Sequence, residues 1–194
     1  MSSETMTISS EEMDQAGTIL GEEMEQEKTV QLVVFSLCDE MYGVEILDVW
    51  EIIETGEITT VPNSPDFLRG IINFRSNIVP VIDFEKRFRL QREGEYTGNH
   101  IMIVRIGESV FGLLVDEVTD VLRLPEEEIM APPTIITEKI GIEFVKGVGI
   151  LEDQLIILLD LEKVLDEREL IELMKTSEMN SGKVSSSMEE KDAT

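Results

Sequence analysis

The sequence predicts a mainly β protein made of two small, related closed barrels packed together. Three observations point there: an internal duplication, short apolar runs separated by turns, and too few strands per repeat for a large sheet. LVVFSLCDEMYGVEILDVWEII from Leu32 aligns without a gap with IMIVRIGESVFGLLVDEVTDVL from Ile101, at an offset of 69. Leu37 meets Ile106, Tyr42 meets Phe111, Gly43 meets Gly112, Val49 meets Val118 and Glu51 meets Asp120. FLRGIINFRSNIVPVIDFEKRF from Phe67 then matches FVKGVGILEDQLIILLDLEKVL from Phe144 at an offset of 77. Phe67, Gly70, Asp83, Glu85 and Lys86 meet Phe144, Gly147, Asp160, Glu162 and Lys163. Chance similarity of apolar strands does not keep a glycine and an Asp-x-Glu-Lys at one offset.

Each repeat opens with an apolar run, Leu32–Leu37 or Ile101–Ile106, then a polar turn and a second run through the shared glycine. That is a β-hairpin pattern. Ile46, Val49, Trp50 and Ile53 follow at helical spacing, whereas their counterparts from Val115 to Leu124 suit a strand equally well. A helical turn running into a strand satisfies both. Gly70–Arg75 with Ile78–Ile82 form a second hairpin, repeated as Gly147–Leu151 with Leu155–Leu159. Asp83 and Asp160 are placed to cap short helices. A last helix is expected from Asp166, with Glu169 behind it and Leu170, Leu173 and Met174 on its apolar side.

Composition divides the chain of 194 residues into a polar N-terminal tail (1–28), a folded part (29–175) and a polar C-terminal tail (176–194). The folded part holds repeat units at about 32–88 and 101–165, followed by a helix at 166–175. Both tails are expected to be mostly disordered. In the first, Ser9 and Glu12 stand at capping-box spacing, and Met13, Ala16, Leu20 and Met24 at helical spacing. Gly17 and Gly21 interrupt that pattern, which predicts a transient helix at best. Hydrophobic residues make up 42% of the chain, enough for a core, while the formal charge is −25. So acidic a chain is not expected to bind nucleic acid or anionic membrane directly, since both need a cationic surface. No run approaches the length of a membrane span, and nothing resembles a signal peptide, so an intracellular protein without direct membrane insertion is expected. A single cysteine, Cys38, excludes an internal disulfide framework and suits a reducing compartment.

Residues fit for chemistry are sparse, and the expectation is a protein that is not an enzyme, with no catalytic residue, metal site or cofactor. The one histidine, His100, stands before the first strand of the second repeat without His or Cys companions at metal spacing. Cys38 sits in a hairpin turn with no basic neighbour in sequence to lower its pKa. Glu126-Glu127-Glu128 after Pro125 reads as a solvated loop or helix start. Lys86, Arg87, Arg89 and Arg92 form a small basic island that either meets an acidic partner or balances local charge.

Phe67-Leu68-Arg69-Gly70-Ile71-Ile72-Asn73-Phe74-Arg75, followed by Ile78-Val79-Pro80-Val81-Ile82-Asp83, resembles the signature of CheW domains. So do Phe111-Gly112-Leu113-Leu114-Val115-Asp116, and Tyr42-Gly43-Val44 with Val49-x-Glu51-Ile52. The resemblance runs from about Gln31 to Leu173. One departure is Ser76, where the family usually places glycine after the arginine; a turn with positive φ there would strain serine. The resemblance implies two five-stranded SH3-like barrels enclosing a further hydrophobic contact. It also implies a cytoplasmic adaptor, recruited to membrane-associated receptor arrays. Such an adaptor joins the cytoplasmic tip of methyl-accepting chemotaxis receptors to the regulatory domain of the histidine kinase CheA, which has the same fold. Carried over by motif position, the partner-binding residues are Val49, Glu51, Gly70, Arg75, Ser76, Ile101 and Val121. Arg75 and Glu51 are expected as polar contacts, and Val49, Ile101 and Val121 as apolar wall. A scaffold of another chemosensory pathway, for example pilus-based motility, would carry the same sequence features.

Overall fold

The computed structural model describes residues 28–94, 98–151, 153–166, 168–171, 173 and 175. The tails and the capping-box segment discussed above, as well as Met174, lie outside them.

The elements are β1 (Thr29–Leu37), β2 (Glu40–Glu45), β3 (Val49–Glu54), β4 (Leu68–Phe74), β5 (Asn77–Asp83), α1 (Phe84–Arg87), β6 (His100–Ile106), β7 (Ser109–Val115), β8 (Glu117–Pro125), α2 (Thr134–Ile140), β9 (Val145–Leu151), β10 (Gln154–Leu159) and α3 (Leu161–Val164). One-turn 3-10 helices stand at Ile46–Asp48, Glu126–Glu128 and Ile142–Phe144. The ambiguous stretch after β2 is therefore a helical turn followed by a strand. Asp83 and Asp160 accept hydrogen bonds from the backbone N–H groups of Lys86 and Glu162 at 3.1 and 3.2 Å, as expected of caps. The helix that includes residues 168–171 starts with a reciprocal box. Asp166 accepts from the N–H groups of Arg168 and Glu169, both at 2.8 Å, while Glu169 accepts from the Asp166 N–H at 2.9 Å.

The strands form two five-stranded sheets, ordered β8-β1-β2-β10-β9 and β3-β6-β7-β5-β4. The second order is the first with each strand replaced by its repeat counterpart. Neither repeat builds a sheet alone: each sheet takes two opening strands from one repeat and three closing strands from the other. Parallel pairs, β2 with β10 and β5 with β7, join the two contributions. The chain passes between sheets twice, at Ile46–Asp48 and at Asp116.

Strand alternation explains the interior. On β1, Val33, Phe35 and Leu37 point to a large cluster shared by both sheets, with Tyr42, Phe84, Phe111, Leu113 and Ile157. Leu32 and Val34 point instead into their own sheet's cluster with Leu124, Ile156 and Leu158. The other sheet has a matching cluster of Ile72, Phe74, Val79, Val81, Ile101, Ile103 and Leu114. Both faces of the central strands are buried, so their sequence runs almost continuously apolar.

Arg87 ties the halves together. Its guanidinium lies over the rings of Phe67 and Phe144, repeat counterparts, at 4.7 and 5.4 Å. Nε donates to the Val164 carbonyl at 2.6 Å, and both terminal nitrogens reach Glu169 at 2.9 Å. Arg92 pairs with Glu85 at 2.9 Å and with Asp116 at 2.8 Å. Half of the basic island is thus committed to internal structure; Lys86 and Arg89 remain exposed.

Candidate partner surface

β3, on an edge of its sheet, carries two of the expected site residues, Val49 and Glu51. Alternation turns Val49, Glu51 and Ile53 toward the molecule and Trp50, Ile52 and Glu54 outward. Val49 packs against the shared core and is only partly covered. Glu51, at the rim, pairs with Arg75. Arg75 comes from the turn between β4 and β5, so this ion pair joins the two edge strands of one sheet. The Arg75 side chain is 71% exposed and also lies over the Phe74 ring at 5.2 Å.

Arg75 and Ser76 have φ of 50° and 66°. The turn does require the left-handed region at the position where the family usually has glycine. Serine there is strained, by roughly 1 kcal/mol for a non-glycine residue.

Two assignments need correction. Ile101 is fully buried (0%) in its own sheet's cluster, where its repeat counterpart is the equally buried Leu32. It supports the surface from behind and cannot be wall for a partner. Gly70 is also buried, with φ of 152°. A Cβ there would stand 2.3 Å from the Thr59 carbonyl oxygen, which pairs with the Ile71 N–H at 2.8 Å. Its role is to let the 58–59 segment cover the edge of β4. Gly147 does the same beside Met130.

Val121, by contrast, is 51% exposed on the edge strand β8. Its repeat counterpart is Ile52, also exposed. Near β3, the exposed apolar residues absent from the expectation include Leu47 (83%) and Trp50 (63%); Ile135 and Ile142 are exposed elsewhere. The repeat carries a signal for Leu47 and Trp50: their counterparts are Asp116 and Thr119, and a position that is apolar in one copy and polar in the other lies on the surface of at least one. Leu47 borders a groove with Val30, Ile46 and Arg123, and Arg123 follows Val121 by two along β8, hence on the same face.

The residues singled out for chemistry hold structural posts. Cys38 lies near Arg92 and Lys139 in space, but burial pushes its thiol up to about 11 against their pull. Its N–H donates to Asp116 at 3.0 Å. His100 opens β6 with Nδ1 3.2 Å from the Asp116 carbonyl oxygen. Glu126–Glu128 form a one-turn helix. Among the described residues, no group of three or more His, Cys, Asp or Glu side chains could hold a metal ion, and no helix is long and apolar enough to cross a membrane.

Two equivalent five-stranded sheets, each built from strands of both repeats, define a β-rich module with exposed apolar residues on its edge strands. Residues 31–169 match the family model of the CheW-like domain. The chain is 34% identical over 148 residues to the chemotaxis protein CheW of Treponema pallidum, covering 74% of this chain and 86% of that protein. It is 35% identical over 140 residues to CheW of Klebsiella aerogenes, covering 72% and 84%. The crystal structure of the scaffolding protein CheW from Thermoanaerobacter tengcongensis is similar with a TM-score of 0.66 at 37% identity, over 75% of this chain and 94% of that one. The chain belongs to the CheW family of chemotaxis scaffold proteins.

Proposed function

We propose that this protein is a non-catalytic, cytoplasmic adaptor that couples methyl-accepting chemoreceptors to the regulatory domain of the histidine kinase CheA. The observation that carries the reading is the pair of equivalent sheets on one chain with unlike exposed edges. One edge presents Trp50 and Ile52 beside the Glu51–Arg75 pair. The other presents Val121, with Leu47 nearby at the crossing between sheets. A protein so built can hold two different partners at once without moving.

Within this reading the groove at Leu47 accepts the helical tip of a receptor. Val30, Ile46 and the exposed Leu47 give this groove an apolar part among Thr29, Gln31, Glu45, Arg123 and Glu126, to which apolar and basic residues of an amphipathic helix are suited. Arg75 and Glu51 serve as contacts because an ion pair this exposed contributes little to folding, about 0–1 kcal/mol, and can exchange partners at small cost. Val49 forms the floor beneath them, Ser76 shapes the turn that presents Arg75, and Gly70 and Ile101 hold the surface from within.

A pull-down tests this. The full chain should retain both a receptor cytoplasmic fragment and the kinase regulatory domain, separately and together. Retention of neither would end the adaptor reading.

A further inference from the structure

The edge strands β3 and β8 hold equivalent places but differ in how an acidic residue at one shared position is neutralised. Register fixes the equivalence. Glu51 lies opposite Ile103 and Asp120 opposite Val34, and Ile103 is the repeat counterpart of Val34. Both strands are bulged one residue earlier, at Trp50 and at its counterpart Thr119. Asp120 therefore stands where Glu51 stands.

Glu51 receives its cation from within the chain, from Arg75 in the β4–β5 turn. Asp120 does not. Among the described residues no lysine or arginine pairs with it, and its carboxylate accepts the N–H of the next residue, Val121, at 2.7 Å. The turn between β9 and β10 keeps the backbone of Arg75's turn, since Asp153 has the same φ of 66° as Ser76. The sequence position matching Arg75 is Glu152, so the second repeat brings no cation of its own there. Asp120 is exposed, and Val121 beside it is half exposed. A carboxylate without a cation, next to an apolar side chain on an edge strand, complements a cation next to an apolar side chain.

We infer that Asp120 and Val121 form a docking point for a partner protein that presents an arginine or lysine beside an apolar residue. The partner supplies in trans the cation that Arg75 supplies to Glu51 in cis. The place stands on the repeat; that its occupant is one of the adaptor's partners rests on the function proposed above. The formal charge of −25 draws a basic surface from a distance, and the contact at Asp120 sets where it settles. The carboxylate is exposed, so it stays hydrated while the edge is empty and no buried charge is left behind. The two edges thereby differ in the charge they ask of a partner. β3 presents a balanced ion pair and β8 an unbalanced carboxylate, which lets one chain tell two partners apart.

The test titrates a short peptide with one arginine between leucines into the full chain, followed by NMR, beside the same peptide with glutamate for arginine. The arginine peptide should shift the amides of Asp120 and Val121 to saturation, and the glutamate peptide should not. Asp120→Lys should weaken the arginine peptide by about fivefold or more. Glu108→Lys, an equal change of net charge at another exposed turn, should not. Asp120→Asn keeps an oxygen for the Val121 N–H, so it should leave the melting temperature in place and flatten the salt dependence of binding. Shifts spread over the acidic surface, or equal affinity in Asp120→Lys, overturn the inference. A kinase regulatory domain and a receptor cytoplasmic fragment are titrated into the same variants. At least one should bind Asp120→Lys about fivefold more weakly. Undiminished binding of both overturns the docking of an adaptor partner here, while the adaptor reading stands. Retention of neither by the unmodified chain ends the adaptor reading, and the peptide result still decides the site. Self-association that Arg75→Glu abolishes would make the cation that of a second copy, which overturns a distinct partner.

Discussion

Arg75 is the residue on which the proposed partner surface turns. It sits at a strained turn, exposed, pairing with Glu51 across two edge strands. Arg75→Glu should leave the melting temperature within a few degrees of the parent, because a surface pair contributes about 0–1 kcal/mol. Partner binding should weaken, since a carboxylate in place of the guanidinium would set two like charges side by side at the contact, the second being Glu51. Loss of folding instead would make the pair structural. Ser76→Gly bears on the same turn: relief of the strain at φ 66°, partly offset by glycine's freedom in the unfolded chain, should stabilise by up to about 1 kcal/mol. Urea unfolding measures it, and destabilisation would show that the serine is not strained. Cys38 gives a prediction with pH. Its thiol, raised by burial from 9.0 to about 11, keeps its proton in the folded chain after an unfolded cysteine has lost it. The folded state then binds more protons than the unfolded one, so stability falls as pH rises from about 9 toward about 11. Cys38→Ser should lessen the loss of urea midpoint between pH 8 and pH 10.5. Tyr42, raised in the same direction by burial, will keep part of the slope.

Among the elements, hairpins and caps were legible in the sequence because their determinants are local. Asp83 and Asp160 cap helices, and the glycines Gly70 and Gly147 repeat because each lets a crossing backbone approach within contact. Which of the expected site residues are exposed was legible only in part. Ile101 and Val121 are both β-branched residues on strands, and burial separates them by where the neighbouring strand lies, which spacing along one strand does not encode. Ile46, Val49, Trp50 and Ile53 fit a single helical stripe, yet the strand that forms sends Val49 and Ile53 inward and Trp50 outward. Gly70→Ala puts a methyl into the Thr59 carbonyl and should cost about 2 kcal/mol or more in urea unfolding. Were it neutral, the 58–59 segment would not be held against β4 as described.

At the scale of the molecule, the exchange of strands between repeats was not visible in the duplication. Two copies aligned in sequence say which strands correspond, and nothing about which copy each strand pairs with; the shared core decides that. Phe35, Phe84, Phe88 and Phe144 meet in succession across it as tilted ring pairs, and Arg87 closes its end against Phe67, Phe144 and Glu169. Removing that guanidinium takes the donor from the Val164 carbonyl and the ion-pair partner from the half-buried Glu169 carboxylate, which keeps the Asp166 N–H, so Arg87→Ala should destabilise by about 2–3 kcal/mol. Arg87→Lys should recover little of it, lacking the planar fork. The core shared by both sheets is what lets one chain present two unlike edges together. The most direct measurement of that role is autophosphorylation of CheA mixed with a receptor cytoplasmic fragment, with and without the full chain. Kinase output should rise only when all three are present, and Arg75→Glu should lower the rise. An unchanged output in the complete mixture, with folded components, would contradict it.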